Sequence, residues 1–146
     1  MISKNQELLF ALMPHRPPHL LLHALCAWTA TSATALAVLS EGNPYLGEDG
    51  RLEPVAMAEL IAQCFAAGAG AYQQSLGKKQ PQKGYLAALR DFRVYGDAYR
   101  GQTLTVTVER IASLGAIIVV QGEVRCGDTL LATSQCKVAV FDQSST

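Results

Sequence analysis

The stretch from Pro54 to Leu76 constrains this chain most, because it carries Ala56, Ala58, Ala62, Ala66, Ala67, Gly68, Ala69, Gly70 and Ala71. Pro54 suits the first turn of a helix, where its missing N–H does no harm. Gly77 suits the left-handed position just past the end. The segment therefore reads as one helix over 54–76, with small side chains on nearly every face. Gly costs a helix about 1 kcal/mol relative to Ala, so Gly68 and Gly70 imply close approach of a neighbouring backbone. A helix that is apolar on most sides has to be enclosed.

What encloses it must come from the rest of the chain, where no second long helix is legible. Residues 4 to 12 predict a short helix, with Leu8, Leu9 and Leu12 at helical spacing. Pro14, Pro17 and Pro18 then forbid regular structure. Leu20 to Leu39 predicts two strands that bend at Thr29 to Ser32. Ser40 to Glu53 is a loop rich in Gly, Asn, Asp and Pro. Beyond a loop at Lys78 to Lys83, four strands follow: Gly84 to Val94, Thr103 to Glu109, Ala116 to Arg125 and Thr129 to Phe141. The second of these alternates cleanly, as a half-exposed strand does, and Gly115 and Gly127-Asp128 supply the turns of an antiparallel meander. Two strands, one apolar helix and four strands bury that helix only if a curved sheet closes round it. The expectation is an α+β, hotdog-type fold occupying residues 1–146 as a single domain.

Charge and cysteine usage exclude several function classes. Twelve basic residues balance twelve acidic ones, and no basic run exceeds Lys78-Lys79, so the footprint of a nucleic-acid binder is missing. The least polar stretch, Leu60 to Tyr72, is too short for a bilayer, which needs about 20 residues. The N-terminus lacks the apolar core of a signal peptide, which points to the cytoplasm and away from membrane insertion. Cys26, Cys64, Cys126 and Cys136 form no CxxC pair, so no metal site is expected. They read as small buried hydrophobes in a reducing compartment.

Three passages resemble one family in the right order. Leu12-Met13-Pro14-His15-Arg16-Pro17-Pro18-His19-Leu20-Leu21-Leu22 is similar to the LPHRYPFLLVD segment of the 3-hydroxyacyl-[acyl-carrier-protein] dehydratases, the FabZ-like hotdog enzymes. Val55-Ala56-Met57-Ala58-Glu59-Leu60-Ile61-Ala62-Gln63 resembles their helix start, VLxxEAxAQ. Asp91-Phe92-Arg93-Val94 with Tyr99-Arg100-Gly101-Gln102-Thr103-Leu104 resembles ARFRRPVVPGDQL. The chain departs from the family before the helix, where an HFPGxPVMPG stretch carries the usual catalytic histidine. Here the sequence reads Tyr45-Leu46-Gly47-Glu48-Asp49-Gly50-Arg51-Leu52-Glu53-Pro54, without histidine. Pro54 also replaces the glycine whose N–H binds the thioester carbonyl, and proline has no N–H to give. An offshoot, the ApeP-like subunit of aryl-polyene pathways, is nearer to this pattern.

The resemblance implies dehydration of a 3-hydroxyacyl thioester, which needs a base, an acid for the leaving oxygen and donors to the thioester oxygen. Glu59, the only acidic residue between Glu53 and Asp91, is the candidate acid. A first-turn carboxylate favoured by the helix dipole is its plainer reading. Gln63 lies four residues on and is placed to hold Glu59 or substrate. The candidate base is His15, since His19 and His23 have weaker counterparts in the family. Val55 offers the amide nearest to the one that Pro54 lacks. Tyr85 and Phe92 are placed to contact an acyl chain, although core packing is the commoner fate of such rings.

Three readings stay open. One is a 3-hydroxyacyl-carrier-protein dehydratase of fatty acid or polyene assembly. Another is a non-catalytic acyl-thioester-binding subunit of a hotdog heterodimer, and the third is an acyl thioesterase. No cofactor is implied, because the phosphopantetheine arm comes with the acyl carrier protein. A homodimer or a heterodimer with a related subunit is the expected assembly.

Overall fold

A computed structural model describes residues 4–13, 15–77 and 83–141, with the backbone alone for residues 83–87, 140 and 141. The elements follow the expected order: α1 (Lys4–Leu12), β1 (Ala24–Trp28), β2 (Ser32–Val38), α2 (Val55–Ser75), β3 (Lys83–Val94), β4 (Thr103–Leu114), β5 (Ile117–Cys126) and β6 (Thr129–Phe141). All neighbouring strands pair antiparallel, in the order β1-β2-β4-β5-β6-β3. Most of the loop expected at Lys78 to Lys83, residues 78–82, lies outside the described residues, as does Pro14. Lys83 already belongs to β3.

α2 touches every strand of the sheet, which a single helix can do only if the sheet curves round it. Its two glycines mark the tightest contacts. A Cβ on Gly68 would lie 2.5 Å from the Ala33 Cβ of β2, and one on Gly70 would run into the carbonyl oxygen of Leu12 in α1. Across the helix, Gly122 of β5 makes room for Ile61. Met57, Leu60, Ile61, Val106, Val120 and Val124 fill the space between helix and sheet, each at most 1% exposed.

Local chemistry sets the ends of these elements. Pro54 already has helical dihedrals, φ −56° and ψ −33°, and Gly77 closes the far end with φ +79°. The β1–β2 bend needs no Asn-Gly. Thr29 Oγ1 accepts the N–H groups of Thr31 and Ser32 at 3.1 and 3.0 Å and closes the turn with its own side chain.

The bilayer argument made from sequence needs correction. α2 has 21 residues and is long and apolar enough to cross a membrane, but 61% of that span is buried inside the molecule. It is the core helix of a folded domain. The cysteines also divide: Cys64 and Cys136 are buried as expected, whereas Cys26 is exposed and Cys126 is intermediate.

Candidate active site

α2 presents Val55, Glu59 and Gln63 at intervals of four residues, hence along one face. Exposure falls along that line, from Val55 at 56% to Gln63 at 1%. The segment joining α1 to β1 runs against the same face. Five contacts fix it and the last turn of α1 there. Gln74 Nε2 donates to the Ala11 carbonyl at 3.2 Å, and Gly70 receives the Leu12 carbonyl without a side chain in the way. Gln63 Nε2 donates to the His19 carbonyl at 2.8 Å, while its Oε1 accepts the Leu21 N–H at 2.9 Å. The fifth contact joins side chains: His15 Nε2 lies 3.8 Å from Glu59 Oε1.

Gln63 has a further partner. Its amide also donates to Glu59 Oε1 at 3.1 Å, so a buried side chain ties the carboxylate and the joining segment together. His15, Glu59 and Gln63 therefore form one cluster within a single chain. The Glu59 carboxyl is partly open to solvent, its side chain 38% exposed. His15 Nδ1 is buried and without a hydrogen-bond partner among the described residues.

The other expected site residues lie apart from this cluster or at its margin. Val55 occupies the first position of α2, where a backbone N–H has no intrahelical acceptor. Phe92 packs, partly buried, against the core. It follows Asp91, whose φ of +51° goes with a shift in the β3–β6 register between Arg90 and Arg93. Buried Ser134 donates to the Arg90 carbonyl at 3.2 Å beside this bulge. The Tyr85 backbone pairs with Ala139 in β3–β6, while its side chain lies outside the described residues. His19 and His23 are exposed. No group of three metal-ligating side chains occurs among the described residues.

Sequence reasoning missed Arg16. Its guanidinium donates to the carbonyls of Met13 at 3.0 Å, His15 at 2.8 Å and Phe10 at 3.2 Å, and sits 4.4 Å above the Phe10 ring. It closes the end of α1 and pins the backbone that carries His15. The signal was present in the Pro-His-Arg triplet, where only the histidine received a role. The buried thiols take no part in such chemistry. Burial pushes the Cys64 thiol up to about 12, nearby Cys26 adding to the effect, and burial also raises Cys136 against a hydrogen bond from Ser134.

Comparison with known proteins bears on both fold and family. Among solved structures, the chain is similar to the dehydratase heterocomplex ApeI:P from Xenorhabdus doucetiae, with a TM-score of 0.83 and 20% identity over 93% of this chain and 92% of that one. It is also similar to a hypothetical thioesterase with coenzyme A from Streptococcus pneumoniae TIGR4 (TM-score 0.65, 12% identity, 82% and 85% covered). The PaaI protein of the E. coli phenylacetic acid degradation operon is a third (TM-score 0.62, 13% identity, 79% and 80% covered). At these identities the likeness establishes the hotdog fold alone. No curated protein sequence matches. Residues 9–146 match the family described as ApeP-like, ApeP dehydratase, which bears out the dehydratase resemblance drawn from the three motifs. Because that match takes in nearly the whole length, the chain belongs to the ApeP-like dehydratase family.

Proposed function

We propose that this member of the dehydratase family acts on 3-hydroxyacyl thioesters carried by an acyl carrier protein in polyene assembly, in the cytoplasm and paired with a second hotdog subunit. The observation that carries the reading is the His15–Glu59–Gln63 cluster, which places an imidazole and a carboxylate 3.8 Å apart on the face of the central helix. The cluster holds groups of the kind that the proton transfers in loss of water require. The Val55 amide is the proposed donor to the thioester oxygen, and Phe92 and Tyr85 are proposed to contact the acyl chain. Pairing is supported by β3, which ends the sheet and pairs on one side only among the described residues. It exposes Leu89 and Val94, with Tyr95 just beyond. The ApeI:P neighbour, itself a heterocomplex, agrees with this pairing.

A second reading is favoured by two observations. The loop from Tyr45 to Pro54 holds no histidine, and Pro54 gives no N–H. On that reading the chain supports an active relative without turning over substrate itself. Incubating the purified protein, alone and with a related hotdog subunit, with 3-hydroxyacyl and saturated acyl carrier proteins separates the possibilities by mass spectrometry. Enoyl product from the protein alone supports catalysis here. Enoyl product only from the mixture, unaffected by Glu59→Gln in this chain, supports the partner role. Free acid from the saturated substrate would overturn both in favour of a thioesterase.

A further inference from the structure

His15 and Glu59 can divide their work in two ways, and the surroundings of the imidazole distinguish them. Nδ1 is buried and has no acceptor among the described residues. The chain's own atoms cover it, so neither water nor a partner subunit reaches it. A proton there would be a buried donor left unsatisfied, at about 1–3 kcal/mol, but a bare lone pair there is an unsatisfied acceptor as well, so the surroundings of the other nitrogen decide the tautomer. The other ring nitrogen, Nε2, faces Glu59 Oε1, an oxygen that already accepts the Gln63 amide. A lone pair on Nε2 would meet the lone pairs of that oxygen, whereas an N–H there would meet an acceptor.

We infer that His15 is held as the Nε2–H tautomer and serves as a hydrogen-bond donor that positions Glu59, and that Glu59 alone moves the proton. This rests on the dehydratase reading and gives Glu59 both the acid and the base role, where the sequence reading gave the base role to His15. The Gln63 amide donates to Oε1 at 3.1 Å, and His15 Nε2 faces the same oxygen at 3.8 Å, a gap the imidazole closes to complete the second hydrogen bond, so that Oε2 is left for substrate. The Glu59 carboxylate takes the proton from C2, and the C2–H electron pair becomes the second bond between C2 and C3 as the C3–O bond breaks. The carboxyl group formed then gives the same proton to the departing hydroxide. The products are water and the enoyl thioester, the carboxylate is regenerated, and the imidazole gains and loses nothing. His15 is thus a positioning residue and Glu59 the catalytic one.

Two measurements test this. The first is the 15N spectrum of the ring nitrogens of the three histidines, with His15 assigned by its loss in His15→Gln. A protonated Nε2 beside an unprotonated Nδ1 is expected, and either an Nδ1–H tautomer or an imidazolium at the pH of turnover overturns the inference. The second is rescue, measured in whichever assembly turns over. Gln places an amide N–H near the position of Nε2 but cannot accept a proton there. His15→Ala is expected to slow turnover by about 100-fold, with His15→Gln returning to within about tenfold of wild type. Equal loss in both variants makes His15 the base and overturns the inference. No turnover in any assembly removes the dehydratase reading and the proton route with it, while the ring-nitrogen spectrum still decides the tautomer.

Discussion

Gln63 is the kind of residue that a hydrophobic core admits only when every polar atom has a use. Its carbonyl oxygen takes the Leu21 N–H, and its amide serves the His19 carbonyl and the Glu59 carboxylate. Gln63→Leu keeps much of the volume and strands two backbone groups, so it should destabilise the fold by about 2–4 kcal/mol, read as a lower urea midpoint with an unchanged slope. Cys64 supplies a different single-residue test. Its folded thiol titrates at about 12, above the ordinary 9.0. The unfolded chain therefore releases that proton first, and the stabilisation is intact below about pH 9 and lost as pH rises toward 12. Thermal melts from pH 8 to 11 should fall more steeply for wild type than for Cys64→Ala. At pH 8, exposed Cys26 should react with a thiol reagent while Cys64 stays silent until unfolding.

At the scale of elements, Gly68 on α2 and Ala33 on β2 share one space. Gly68→Ala places a methyl 2.5 Å from the Ala33 Cβ and should cost about 1–3 kcal/mol. Adding Ala33→Gly should recover part of that loss in melting temperature, and strictly additive effects would contradict direct contact. The same pair explains why α2 was legible beforehand, because close packing had left its mark in composition. β4 was only partly legible. Its alternation reads cleanly to Glu109, then a register shift between Arg110 and Ala112 breaks the pattern, and the strand continues to Leu114. Sheet order was out of reach, since the placement of β3 beside β6 at the edge depends on long-range pairing that no local pattern carries. Glu59 and Gln63 could be read from helical spacing, but the approach of His15 from 44 residues away could not. Arg16 escaped notice because its partners are backbone carbonyls, which have no sequence signature.

At the scale of the whole molecule, the curved sheet ends on β3, which among the described residues pairs on one side only, with β6, and exposes Leu89 and Val94. If β3 is where a second subunit joins, Leu89→Asp should weaken association by about tenfold or more, the scale of a charge placed in an apolar contact. Light scattering at micromolar concentration reads the change, and an unaltered mass distribution would place the contact elsewhere. The segment that brings His15 to Glu59 has a different consequence for the molecule. Gln63, Gly70 and Gln74 of α2 hold it through backbone atoms: the carbonyls of Ala11, Leu12 and His19, and the N–H of Leu21. Mutation can therefore rewrite the exposed side chains of Ala11 and His19 without unseating it, while Gln63 and Gly70, the residues that do the gripping, have little freedom to vary. In a library of variants, tolerance should be uneven across this contact, broad at exposed Ala11 and His19, and narrow at His15, Arg16, the buried Leu12, Met13 and Leu21, and the gripping residues of the helix. A lineage could thus explore new approaches for substrate along one side of the site while the other keeps the reacting groups in place.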